Sequence, residues 1–191
     1  FLTQNLKLDF DQPELQEIAN QVLDQTERIS TILQSLVNFA YSSKGDDERP
    51  SVPVKLQDCI NEAIKLLSLN RKEHEFRFTN QCDATAYTSG NPQRLLQVFV
   101  NLLSNAQDAS GDNDEVQITS RFEGESVIVE IIDQGHGIPH AQLERIFDPF
   151  FTTKNPGEGT GLGLAIVSTI IEEHYGSISA ASSNHSPGTT M

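Results

Sequence analysis

The stretch "GEGTGLGLAIV", residues 157–167, places glycine at every second position, Gly157, Gly159, Gly161 and Gly163, and then runs into an apolar segment. Alternating glycines disfavour a regular helix or strand, because glycine gives up the most conformational freedom on ordering. The apolar residues that follow have helical spacing, so the chain must deliver a pliable loop straight onto a helix N-terminus. Such a junction turns backbone N–H groups toward an anion. Two common phosphate motifs are excluded: no GxxxxGK precedes a Ser or Thr, and the GxGxGxG run contains no GxGxxG.

The remaining pattern is that of an α+β chain with a helical preface. Leu15, Ile18, Val22, Gln25, Ile29, Ile32, Leu36 and Phe39 alternate spacings of three and four, and all but Gln25 are apolar. This predicts one long helix over 13–41 with Pro13 in its first turn, packed against partner helices. "SSKGDDERPSVP" (42–53) is polar with Gly and Pro and reads as a linker, which gives a helical segment over 1–42, a linker over 43–53 and a second domain over 54–191. Within that domain the spacing predicts helices at 56–67, 91–110, 140–146 and 162–174, with Asn91 as an N-cap and His174 and Gly176 at a helix end. Strands are expected at 74–81, 84–90, 115–124, 125–133 and 177–182, and "GTTM" has the character of a closing strand. The sum is a two-layer α/β sandwich with helices on one face of the sheet.

Charge restricts the partners. The chain of 191 residues carries a formal net charge of −14, which argues against nucleic acid, since backbone binding needs a basic face. A polyphosphate bound here must be neutralised locally, by N–H groups, a lysine and a metal ion. Two cysteines, Cys59 and Cys82, form no disulfide framework and no CxxC pair, which fits a reducing cytoplasm. No apolar run is long enough to span a bilayer. The chain opens on Phe1, as a piece of a longer protein would.

Three stretches besides the glycine run carry candidate chemistry. Asn101 and Asn105 lie four apart on one helix face beside Val98, Leu102 and Ala106. They are either an amide pair bonded to a neighbouring loop or neutral oxygen ligands for Mg²⁺. "DQGHGIP" (133–139) follows an apolar strand. It is either a plain turn or a site where Asp133 accepts from an exocyclic amine, Gly135 and Gly137 let the backbone approach a flat ring, and Ile138 offers it an apolar face. "FDPFFTTK" (147–154) sets Phe147, Phe150 and Phe151 as core or as the anchor of a mobile loop, with Lys154 as the cation for a polyphosphate.

"QVFVNLLSNAQDA", "DQGHGIP", "FDPFFTTK" and "GTGLGLAIV", in that order over 97–167, resemble the N box, first glycine box, F box and second glycine box of sensor histidine kinases. Their ATP-binding domain belongs to the superfamily shared with gyrase, Hsp90 and MutL, and the helix over 13–41 resembles the second helix of the dimerisation and phosphotransfer hairpin. "FDPFFTTK" is most like the branch containing nitrogen-regulation sensors. The resemblance implies a Bergerat-type fold and a domain that binds Mg–ATP and passes the γ-phosphoryl to a histidine, for relay to an aspartate of a response regulator. It implies that Asn105 holds Mg²⁺ with Asn101 beside it as the catalytic pair. Asp133 would bind the adenine amine, flanked by Gly135, Gly137 and Ile138. Asp108, Lys154, Gly159, Thr160, Gly161, Leu162 and Gly163 would complete the nucleotide contacts.

Asn101 occupies the position at which gyrase-like hydrolases carry a water-activating Glu, and an amide cannot act as that base. The resemblance also implies a homodimer through the hairpin. The histidines are His74, His136, His140, His174 and His185, and none has the family's acceptor setting, so the acceptor is expected upstream of Phe1. The chain as given would then bind ATP without phosphorylating its own histidine. Two alternatives stay open at this stage: another superfamily member, such as an anti-sigma-type kinase or ATPase clamp, and a non-catalytic dimerising module regulated by nucleotide.

Overall fold

The computed structural model describes residues 16–23, 26, 51–69, 76–111, 114–155, 159–182 and 188–191. Most of the heptad segment lies outside these residues. Its described part, 16–23, is helical, and the seam residues Ile18 and Val22 are 56% and 54% exposed.

From Val52 onward the chain runs β1 (Val52–Lys55), α1 (Leu56–Leu69), β2 (Arg77–Gln81), β3 (Tyr87–Gly90), α2 (Pro92–Ala109), β4 (Glu115–Glu123), β5 (Ser126–Ile132), α3 (His140–Leu143), α4 (Gly163–Glu173), β6 (Ala181–Ser182) and β7 (Thr189–Thr190). Val52 and Pro53, assigned above to the linker, are therefore the first residues of β1, which pairs antiparallel with β3 from Val52↔Gly90 to Lys55↔Tyr87. The main sheet has the order β2-β4-β5-β7-β6. β2 and β4 are parallel and the other neighbours antiparallel.

Side-chain alternation on β4 and β5 explains the layering. Val116 and Ile118 are buried while Gln117 and Thr119 are half-buried, and Ile118 pairs with the buried Ile131. One face of the sheet thus meets the helices, and the other is polar. The helical layer supplies Ile60 and Ala63 from α1, Val98, Leu102 and Leu103 from α2, and Ile166, Val167 and Ile170 from α4 to the same core. Ile128 and Ile132 lie on the polar face half-exposed, so β5, though almost continuously apolar, is covered on one side.

The helix ends follow the sequence chemistry. Asn91 Oδ1 accepts from the N–H groups of Gln93 (3.0 Å) and Arg94 (3.3 Å), with Pro92 opening α2. At the end of α4, Tyr175 N–H donates to Glu172 O (2.9 Å) and Gly176 N–H to Ile171 O (2.9 Å), a Schellman arrangement. The left-handed position in it belongs to Tyr175 (φ 59°) rather than to Gly176. His174 joins two helices: its Nδ1 bonds to Ile170 O at 2.7 Å and its Nε2 accepts the N–H of Asn91 at 3.1 Å. A Cβ on Gly90 would lie 2.3 Å from that ring. Arg94 and Glu173 pair across the same junction.

Several expected elements are shorter. Residues 84–86 form a turn, not strand, because Asp83 Oδ1 captures the Thr85 N–H (2.7 Å) and hydroxyl (2.6 Å) while Ala86 N–H bonds back to Asp83 O (3.0 Å). These bonds hold the Asp83 carboxyl below its ordinary pKa. The helix expected at 140–146 stops at Leu143 and continues as turns. The strand expected at 177–182 is confined to Ala181–Ser182, because its neighbour β7 has only two residues to pair with it. "GTTM" does supply a strand, and β7 lies inside the sheet rather than at its edge.

Candidate functional site

A cavity of about 750 Å³ opens where the C-terminal half of α2, the segment after β5, the F-box segment and the start of α4 converge. That volume suits a nucleotide-sized ligand. Residues from all four sequence stretches line it: Asn101, Asn105 and Asp108; Asp133, Gly137 and Ile138; Phe151 and Lys154; Gly159, Thr160, Gly161 and Gly163.

Asp133 is 7% exposed. Its Oδ1 accepts the N–H groups of Gly135 (2.9 Å) and Thr189 (3.1 Å), which fixes the carboxylate plane and leaves Oδ2 to a ligand donor. Burial pushes its pKa above the ordinary carboxylate value, and the two N–H donors offset part of that rise. The half-buried Ile138 flanks it, tied by its N–H to Ser182 Oγ at 2.9 Å.

The two glycines of this segment each permit a close contact. Gly135 does not line the cavity: an added Cβ would lie 2.3 Å from Ala109 O, where α2 ends. Gly137 (φ 73°) does line it, yet its missing Cβ faces Ser182 Oγ at 2.7 Å. The close approach at Gly135 is thus to α2, while Gly137 both meets the β6–β7 region and borders the cavity.

Asn101 and Asn105 both reach the cavity from one face of α2, as their spacing requires. Asn101 Nδ2 donates to Gly163 O at 3.4 Å, which links α2 to the first residue of α4. The Asn105 carboxamide makes no side-chain hydrogen bond among the described residues, so its oxygen is available. No group of three or more His, Cys, Asp or Glu suited to a metal occurs among the described residues. A hard cation here would draw most of its oxygens from ligand and water, which fits Mg²⁺ with one neutral amide oxygen.

The F box and second glycine box are locked together by backbone. Phe150 N–H donates to Gly161 O at 2.8 Å, and a Cβ on Gly161 (φ 65°) would lie 2.4 Å from the Phe150 carbonyl carbon. Phe150 itself is left-handed (φ 67°) with its ring 64% exposed, so its backbone and not its side chain anchors the loop. Phe151 is half-buried, lines the cavity, and has the Arg145 guanidinium 4.9 Å above its ring. Leu162, expected in the phosphate cradle, is a core residue at the N-cap of α4, and its N–H is directed to Thr160 Oγ1 at 3.3 Å. α4 has no side-chain cap, and Gly163 and Leu164 of its first turn line the cavity. Lys154 Nζ pairs with Asp108 Oδ2 at 2.7 Å.

Thr189 and Ser182 escaped the sequence reading, since nothing in their surroundings marks a bond to a residue some fifty positions away. Gln142 and Phe151 escaped it as cavity walls.

Residues 90–191 match the family of histidine kinase-, DNA gyrase B- and HSP90-like ATPases, and the chain belongs to that family. Within it, the similarity is to sensor histidine kinases. Sensor histidine kinase ZraS of Escherichia coli O157:H7 is 35% identical over 171 residues, covering 88% of this chain and 36% of that protein. The sensory histidine kinase/phosphatase NtrB of Rhodobacter capsulatus is 32% identical over 189 residues, covering 92% of this chain and 50% of that protein. The chain thus spans about a third to a half of these relatives. Among solved structures, the catalytic domain of histidine kinase ThkA superposes with a TM-score of 0.65 at 31% identity, over 74% of this chain and 92% of that one. ThkA in complex with response regulator protein TrrA aligns over 99% of this chain and 53% of that one, with a TM-score of 0.71 and 26% identity. The mixed sheet layered with helices is the catalytic-domain fold of these kinases. Among the described residues, no helix is long and apolar enough to cross a membrane.

Proposed function

We propose that residues 54–191 bind Mg–ATP and donate its γ-phosphoryl to a histidine of a helical hairpin, from which a response-regulator aspartate receives it. The observation that carries this reading is the convergence of Asp133, Asn105, Lys154 and the N-terminus of α4 on one cavity. Asp133 Oδ2 accepts from the adenine amine, and Ile138 covers a ring face. Lys154, the Thr160 hydroxyl and the N–H groups of Gly159, Gly161 and Gly163 receive the phosphates, and the Asn105 oxygen would be the protein's ligand to magnesium. Magnesium, when bound, neutralises phosphate charge; the protein's own contribution is positioning. Asn101 offers water no general base, which preserves ATP for transfer.

The accepting histidine lies outside this chain, because none of its five histidines has the acceptor setting. The chain alone therefore binds ATP without autophosphorylation. The exposed Ile18 and Val22 belong to the seam of a homodimer, residues 1–42 being the partial hairpin and the stretch from 43 up to the start of β1 at Val52 the link. The similarity to ThkA, solved with TrrA, supports a receiver-domain partner. The protein works in the cytoplasm.

Thermal unfolding with and without Mg–ATP tests the reading. A ligand of the native state at a hundredfold excess over its dissociation constant stabilises by about 2.7 kcal/mol. An unmoved midpoint would reject nucleotide binding. Joining the chain to a hairpin helix bearing the acceptor and assaying acid-labile phosphate then separates kinase from nucleotide-regulated module.

A further inference from the structure

Among the described residues that line the cavity Lys154 is the one Lys or Arg, and it is already engaged: its Nζ lies 2.7 Å from Asp108 Oδ2, across 46 positions of sequence. Both side chains remain about one-third exposed, so either can be rehydrated when the pair opens. The lysine is held from below as well. Its N–H donates to Thr152 Oγ1 at 3.2 Å, and Gly159 passes so close that a Cβ there would lie 3.2 Å from Lys154 Cδ.

We propose that the Asp108 carboxylate stands in for a nucleotide phosphate. It holds Lys154 at the cavity before ligand arrives, and a phosphate of the bound nucleotide displaces it. This rests on the ATP-binding reading above and adds for Asp108 the role of holding the lysine and moderating the affinity for phosphate. A carboxylate carries one negative charge, whereas a polyphosphate carries several and binds lysine as a point charge. Mg–ATP therefore wins Lys154 from Asp108, and adenosine, having no phosphate, does not. Opening the pair subtracts from the phosphate contribution to affinity and leaves adenine recognition untouched. The resting pair keeps the ammonium beside the cavity in a chain of net charge −14.

Isothermal titration of Mg–ATP and of adenosine into the wild-type chain, Asp108→Asn, Lys154→Met and the double variant tests this, with Asp108→Ser as a second removal of the carboxylate. Asp108→Asn is expected to tighten Mg–ATP about two- to fivefold, the factor an exposed ion pair is worth, and to leave adenosine unchanged. Lys154→Met is expected to weaken Mg–ATP more in the Asp108→Asn background than in the wild type, because only in the wild type is the lost phosphate contact offset by a resting pair that no longer has to open. If the wild type binds Mg–ATP but neither Asp108 variant binds it more tightly, the exchange is wrong and the nucleotide reading stands. An equal cost of Lys154→Met in both backgrounds has the same meaning. If the wild type binds no nucleotide, both readings fall together.

Discussion

Asp133 Oδ1 receives the Thr189 N–H at 3.1 Å, so the last strand of the sheet holds the buried carboxylate of the cavity. That bond, with the one from Gly135 at 2.9 Å, decides which carboxylate oxygen faces a ligand. It also decides what an isosteric change would do.

In Asp133→Asn, the amide oxygen is expected to keep both backbone donors, turning the NH₂ group toward the cavity. Donor would then meet donor at the adenine amine. Mg–ATP affinity should fall about 10- to 100-fold, the value of a hydrogen bond to a charged group. Stability should move the other way at neutral pH. Burial raises the pKa of Asp133, so its contribution to stability is fully present below the ordinary carboxylate pKa and is lost as pH rises through the raised one. The variant has no charge to bury, and its advantage in denaturant melts should appear at neutral pH and fade toward pH 3. An advantage that grew on acidification would show that Asp133 is stabilised as a carboxylate.

Asn105→Ala should remove the Mg-dependent part of the thermal shift caused by ATP while leaving the ligand-free midpoint within about 0.5 kcal/mol, because the carboxamide bonds nothing among the described residues. Melts with ATP in EDTA and in Mg²⁺ compare the two directly. An undiminished magnesium increment would take Asn105 off the metal.

Two glycines with similar backbone angles form a controlled pair. Gly124 (φ 61°) has nothing within 4 Å of an added Cβ, whereas Gly161 (φ 65°) has the Phe150 backbone at 2.4 Å. Alanine at position 124 should cost about 1–2 kcal/mol, the left-handed penalty alone. Gly161→Ala should cost more and should also weaken Mg–ATP binding, since the F-box segment must move. Equal melting losses would mean that the contact with Phe150 yields freely.

Tyr175 is 100% exposed at φ 59°, so it has strain to lose and no packing. Tyr175→Gly should stabilise by about 0.5–1 kcal/mol, because glycine takes the left-handed cap without a Cβ penalty while its freer unfolded chain offsets part of the gain. Calorimetry should find a rise of about 2–4 °C in Tm per kcal/mol for a domain of this size.

Cys59 gives a second pH dependence. Burial first, and Glu62 second, push its thiol from 9.0 up to about 11. A raised thiol pKa stabilises the fold below pH 9, and this contribution disappears as pH climbs toward 11. Alkylation by iodoacetamide at pH 8 should therefore require unfolding, and Cys59→Ala should flatten the alkaline loss of stability.

Local chemistry made the helices legible. Asn91–Pro92 marks the start of α2, and the spacing of Asn101 and Asn105 places both on the cavity side. The four stretches could be ordered from sequence because each combines residue types with few other uses at that spacing. What local pattern cannot carry is pairing. Nothing near Thr189 announces a bond to Asp133. Nothing in "DQGHGIP" says that Gly135 makes room for the α2 carbonyl of Ala109 instead of for a ligand. Phe150 and Leu162 were misplaced for the same reason. One aromatic in an apolar run projects outward because its backbone is left-handed, and one leucine in a glycine run fills the core. Strand lengths failed where a side chain outbid the ladder, as Asp83 does before β3, or where the neighbour was too short, as β7 is for β6.

The position of β7 between β5 and β6 has a consequence for biosynthesis. A nascent polypeptide that has emerged only through α4 possesses every cavity-lining motif recognised in the sequence, yet β5 has a vacant edge and Asp133 lacks one of its two anchoring amides. Completion of the adenine site thus waits for Thr189 to emerge, and a ribosome stalled before it should display a domain with its helices formed and a weakened grip on adenine.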